Sequence, residues 1–304
     1  MRSEWKGEKV TGNRNTTGAS EPGENNTIGQ GRRRLLSLWI FLCLSAVASW
    51  TVWLLPFSKE GSLYLTVLKL RFDFPFNLIL PIIGTCLPGV IAILWALSQG
   101  RHQLLQMIST LLRWRAPIRW YVLALALPWS LFWVSFGAVL LYFPSSRPRP
   151  SFLWFLENLL LLLPFGPTWE ELAWRAYAVR ELQSHYSQLK SALIIGVFWA
   201  IWHIPLWSRT LGLNREATAP VLISGIVSVI AWSVVFSFVY NRSAQSLPVV
   251  ILLHAAFDSA AAAIFPSVQS GQLYYVGLSA LLSVCIAIIF ATSMRVSSAE
   301  VLAD

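Results

Sequence analysis

Charge is what this chain has least of. Charged residues make up 12% of it, about half of the roughly 25% usual in soluble domains. Acidic side chains are the scarcer kind, 14 against 23 lysines and arginines. So thin a polar cover excludes an ordinary soluble domain, and an apolar share of 56% with a mean hydropathy of +0.58 says the same. Cysteine is rare too. Cys43, Cys86 and Cys285 lie in separate apolar runs with no CxxC or Cys/His spacing, which excludes a disulfide framework and a thiolate metal site. Three buried apolar thiols are expected instead. A net charge of +9 would suit nucleic acid, but the basic residues stand between apolar runs and ahead of the first one. That is the pattern of loops on the inner side of a membrane, and nucleic acid is not an expected partner.

What is present in quantity is apolar runs of about 20 residues, enough to cross a bilayer. They fall at 35–57, 76–98, 118–143, 152–166, 189–208, 219–240, 247–265 and 273–294, so the expected fold class is all-α, a polytopic transmembrane bundle of about eight spans. Residues 1–34 are polar, rich in Gly, Asn, Thr and Arg, and are expected to be a disordered cytoplasmic tail. The first run is of span length with no small-residue cleavage site after it, which makes it an anchor rather than a signal peptide. Segment 35–151 reads as the N-terminal spans, with an amphipathic interfacial helix near 101–115 built on Leu104, Leu105, Ile108, Leu111 and Leu112. Segment 152–265 reads as a catalytic core, and 266–304 as the last span and a short tail. With the N-terminus inside, 16 of the 23 lysines and arginines fall on the inner side, so both termini are expected to be cytoplasmic.

Ionisable groups at membrane depth are costly and therefore functional suspects. Here they are confined to the fourth, fifth and seventh runs and the helix continuing the fourth: Glu157, Glu170, Glu171, Arg175, His203, His254 and Asp258. On a helix, Glu171 and Arg175 stand at i and i+4, within ion-pair reach, while Glu170 points about 100° away and is left free for chemistry. The plain alternative is a capping box, with Thr168 at the helix start and Glu171 three residues on. His203 follows Trp199 by four residues, and Pro205 is expected to end or kink the helix just after it. Read alone, His203 is a core histidine among aromatics. His254 and Asp258, also at i and i+4, read alone as an imidazole oriented by a carboxylate.

Together the three sites resemble the CPBP family of intramembrane proteases, which includes CAAX prenyl endopeptidases and bacteriocin-processing or self-immunity proteins of the Abi type. The EExxxR motif matches Glu170-Glu171-Leu172-Ala173-Trp174-Arg175. The FxxxH motif matches Trp199 to His203 with Trp in place of Phe, and the HxxxN or HxxxD motif matches His254 to Asp258. The resemblance covers about residues 160–265. Further departures are Trp174 at a usual Phe position and Ala176 where Gly often follows the arginine.

The resemblance implies an intramembrane endopeptidase of a bacterial cell membrane, cutting a membrane-associated peptide or protein of CAAX or leader type. Glu170 would activate water with the help of His203, Glu171 would pair with Arg175, and His254 with Asp258 would complete the site. Two schemes are open. In one, Glu170, His203 and His254 hold Zn²⁺ with water in the open position, which a further anion at Asp258 favours. In the other, Glu170 and His203 polarise the water directly, and Asp258, which unlike Asn has no proton to donate when ionised, is either protonated or left to orient His254. The rival classes are a proton- or ion-coupled transporter, for which no internal repeat stands out, and a silent membrane scaffold. Substrate identity and oligomeric state are not written in the sequence.

Overall fold

The computed structural model describes residues 22–55, 62–65, 70–73, 76–142, 151–210, 215–264 and 273–301. The apolar runs become helices. These are α1 (Pro22–Trp53), α2 (Phe76–Ser98), α3 (Arg101–Leu111), α4 (Ile118–Tyr142), α5 (Phe152–Leu162), α6 (Gly166–Glu171), a π-helical segment (Leu172–Val179), α7 (Arg180–Gln183), α8 (Gln188–Thr210), α9 (Arg215–Arg242), α10 (Leu247–Ile264) and α11 (Leu273–Val301). Six of them are long and apolar enough to cross a membrane, and α5 with the helix Gly166–Gln183 makes a seventh span bent by 49°. Leu247–Ala263 is a shorter apolar helix, so the seventh expected run falls below ordinary span length. The protein is an integral membrane helical bundle.

Three expectations change. Residues 22–34 are helical, because extending a helix already nucleated by the apolar stretch behind them costs little; residues 1–21 lie outside the described residues. Between the first two spans, Ser62–Leu65 (β1) and Leu70–Asp73 (β2) pair antiparallel, a small exception to an all-α chain. Cys43 and Cys285 are free and exposed rather than buried, since they lie on the outer faces of helices in a bundle whose solvent is lipid.

The bundle packs α1 on α2, α8 and α11 on α9, and α4 and α5 on α10. Close approaches occur where a side chain is missing. A Cβ on Gly196 of α8 would lie 3.1 Å from the Ile230 backbone of α9, and one on Gly89 of α2 would lie 2.5 Å from the Trp169 carbonyl oxygen of α6. The second contact sets α6, and with it the start of the acidic motif, against α2. Exposed Leu, Ile and Trp side chains on α4, α5 and α11 form the lipid-facing rim.

Candidate active site

The bend between α5 and α6 is written in Pro164-Phe165-Gly166-Pro167. Pro167 opens α6, where its missing N–H costs nothing. The Thr168 hydroxyl donates to the Leu163 carbonyl and the Trp169 indole to the Pro164 carbonyl at 3.1 Å, which closes the turn. The expected capping box is not formed. Phe165 is the N-cap, Thr168 lies inside the helix, and Glu171 is engaged elsewhere. The helix then runs into the π-helical stretch 172–179, every residue of which is buried. Such segments are rare and frequent at functional sites.

Glu171 is fully buried and takes two donors on one oxygen. Arg175 Nη1 lies 2.9 Å and His254 Nδ1 2.8 Å from Oε1. Arg175, also without exposure, donates its other arm to Ser233 Oγ at 3.4 Å, and the Ser233 hydroxyl in turn donates to the Ala192 carbonyl at 2.8 Å. The guanidinium lies against two adjacent rings, Trp199 at 4.8 Å and Phe236 at 5.0 Å. Four elements therefore meet at this one cation: the π-helical stretch that carries it, α6 through Glu171, α8 through Trp199, and α9 through Ser233 and Phe236.

Glu170 is 4% exposed and turned toward α8. Its Oε2 accepts the Trp199 indole N–H at 2.7 Å, and among the described residues Oε1 accepts none. His203 Nδ1 faces the Trp199 carbonyl at 2.9 Å. A carbonyl can only accept, so that nitrogen carries the proton and the neutral ring presents Nε2 as a lone pair. Nε2 stands 4.0 Å from Glu170 Oε2. The ring is fixed by Trp207, stacked on it at 4.8 Å and 15°. Pro205 does not end the helix there, because α8 continues to Thr210. His254 spends Nδ1 on Glu171 and turns Nε2 to Asp258 Oδ2 at 3.5 Å, while the Asp258 side chain is 40% exposed.

All six motif residues are thus in one place. Glu157 is not: it is exposed on α5 and makes no ion pair among the described residues, because that face of the helix points away from the bundle. Ser233 and Phe236 of α9 join the cluster although they belong to no motif. Ser233 is one of four serines in its run, with Ser224, Ser228 and Ser237, and nothing in the sequence singles it out; a phenylalanine in such a run gives no hint either. Among the described residues, no group of three or more His, Cys, Asp or Glu side chains stands ready to hold a metal ion.

Fold and site together define an integral membrane bundle with an acid, imidazole and guanidinium cluster sealed at its centre. Residues 152–260 match the model of a family described as Type II CAAX prenyl endopeptidase Rce1-like, and all six motif residues fall inside that segment, so the CPBP resemblance is borne out there. Over 98 residues the chain is 31% identical to CAAX prenyl protease 2 of Methanococcus maripaludis, an alignment covering 31% of this chain and 36% of that protein. The chain therefore spans about a third of the length of the curated relative it matches.

Proposed function

We propose that the chain is an intramembrane endopeptidase in which Glu170 and His203 activate a water molecule. The 4.0 Å gap between Glu170 Oε2 and His203 Nε2 carries this reading. It is too long for a direct hydrogen bond and suits one bridging water. Both flanking atoms are acceptors when the imidazole is neutral, so the water donates a hydrogen bond to each and keeps its oxygen lone pairs free to attack. Glu170 takes the proton as the carbonyl carbon is attacked and returns it to the leaving amine. His254, in its doubly protonated form, turns Nε2–H from Asp258 to the developing oxyanion while Glu171 holds Nδ1. Glu171 and Arg175 form the strut on which His254 rests.

A resident zinc ion is the other route to activated water, and Glu170, His203 and His254 are the side chains that would hold it. Zinc needs each donor about 2.0–2.2 Å from one point. Here Glu170 Oε1 is open and a carboxylate on His254 Nδ1 is what zinc-bound imidazoles commonly carry, but among the described residues no three of these side chains converge on one point. As they stand the side chains do not fit the ion and no step is routed through it.

Of the two substrate classes, the similarity to a CAAX prenyl protease favours a lipid-tethered C-terminal peptide. The basic side chains support a cytoplasmic site for its loops. Arg101, Arg113, Arg115 and Arg119 lie around the α3–α4 connection, Arg180 and Lys190 around α7 and the start of α8, and Arg242 at the end of α9, all at one end of the bundle. A farnesylated CAAX-type reporter peptide offered to the reconstituted protein tests the reading: the C-terminal tripeptide is released by the wild type and not by His203→Ala or His254→Ala. Equal release by either variant removes that residue from the chemistry.

A further inference from the structure

The side chain that touches most of this site is not one of its ionisable groups. Trp199 is 3% exposed, and its indole N–H holds Glu170 Oε2 at 2.7 Å while its carbonyl holds His203 Nδ1 at 2.9 Å. Its ring also lies 4.8 Å from the Arg175 guanidinium and 5.2 Å from the His254 ring. A phenylalanine, which the motif resembled here carries at this position, supplies the ring and the carbonyl but no N–H. Burial of a glutamate beside an apolar face leaves its three torsions free unless a donor fixes them, and one donor on Oε2 fixes which oxygen faces His203. We infer that Trp199 is a positioning residue: through its indole N–H it locks the Glu170 carboxylate in register with His203. The hydrogen bond is independent of the hydrolytic reading, whereas the role rests on it.

Trp199→Phe separates the two. With Glu170 released, kcat on the CAAX-type reporter falls about 10- to 100-fold with KM within about twofold, because only the reacting geometry is loosened. The second readout needs no turnover. In ¹⁵N-indole-labelled protein in micelles, one downfield indole signal is lost in Trp199→Phe and moves upfield in Glu170→Ala. No response of any indole signal to Glu170→Ala overturns the inference, as does full kcat in Trp199→Phe alongside an inactive Glu170→Ala. An indole response in a protein whose wild type cleaves nothing leaves the hydrogen bond standing and refutes the hydrolytic reading instead. If the phenylalanine variant does not fold, the Glu170→Ala shift alone decides.

A separate observation lies at the basic end. The α3–α4 connection and the α9–α10 turn enclose a cavity of about 460 Å³ lined by Leu112, Arg113, Trp114, Arg115, Ala116 and neighbouring Ser243 and Ala244. Arg113 Nη1 is pinned to the Ala244 carbonyl at 3.3 Å and to Gln245 Oε1 at 2.8 Å, the turn being held by positive φ at both residues (57° and 56°). Arg115 lies over the Trp114 ring at 5.1 Å, and the Tyr121 hydroxyl ties Trp114 down through its carbonyl. Among described side chains no carboxylate lines this cavity, and exposed Leu112, Trp114 and Ile118 give it an apolar rim. Two arginines beside an interfacial tryptophan match a phosphate attached to a hydrocarbon. We propose that this cavity binds the phosphate headgroup of an anionic phospholipid.

Native mass spectrometry of the purified chain in mixed micelles of phosphatidylglycerol and phosphatidylcholine tests it. The wild type retains phosphatidylglycerol selectively, and each of Arg113→Gln and Arg115→Gln lowers retention about fivefold, the equivalent of about 1 kcal/mol per guanidinium. Equal retention of the two lipids, or retention unchanged in both variants, overturns the proposal. Displacement of the lipid by inorganic phosphate transfers the site to a soluble anion and rejects the lipid.

Discussion

Replacing Arg175 with methionine probes the strut beneath the site. Methionine keeps most of the stem's length and fills irregular space, so the cavity left behind is small. What goes is the charge. Glu171 loses the cation 2.9 Å from Oε1 and, with Oε2 already without a partner, is left fully buried on a single bond from His254. Removing one member of a buried ion pair costs about 3–5 kcal/mol. The guanidinium contacts with the Trp199 and Phe236 rings, at 4.8 and 5.0 Å, vanish with it and belong inside that range rather than on top of it. Reversible unfolding of the purified protein in micelles, followed by tryptophan fluorescence, measures the loss. Glu170→Gln is the control: its amide oxygen still accepts the Trp199 N–H, and its stability stays within about 1 kcal/mol of wild type. An Arg175→Met protein as stable as that control would refute the reasoning, since Glu171 would then not need its cation.

Gly89→Ala places a methyl 2.5 Å from the Trp169 carbonyl oxygen, so α6 must shift. Turnover of the reporter falls about 100-fold, as expected of a misplacement near 1 Å, with far-ultraviolet circular dichroism unchanged. Treatment with a strong chelator leaves turnover intact, and metal analysis of the active protein finds less than one equivalent of zinc. Loss of turnover restored by zinc contradicts the direct scheme. Accessibility tags on the two ends report the same side of the membrane if α10 crosses it, and opposite sides if it does not.

Much of the site was legible because its acids and bases stand out against greasy neighbours. The i, i+4 spacings of Glu171 with Arg175 and of His254 with Asp258 survived into contacts of 2.9 and 3.5 Å. What could not be read were the links between helices. Spacing within one run says nothing of Ser233 on α9, of the two rings beside Arg175, or of His254 reaching Glu171 across 83 positions. The capping box misled for a local reason: Pro167 moves the helix start ahead of Thr168. Of the two outcomes offered for Pro205, the helix end is not seen, since a single missing N–H does not stop a helix packed on α9. Nor does any sequence pattern mark the π-helical turns at 172–179, which depend on what surrounds them.

The central claim is that Glu170 and His203 split a peptide bond with water. Incubating the reconstituted protein with isolated membranes in H₂¹⁸O and sequencing the released peptides tests it without a chosen substrate. The account predicts new C-termini carrying ¹⁸O with the wild type and none above background with Glu170→Gln. The same labelled ends from both proteins, or none from the wild type, would contradict it.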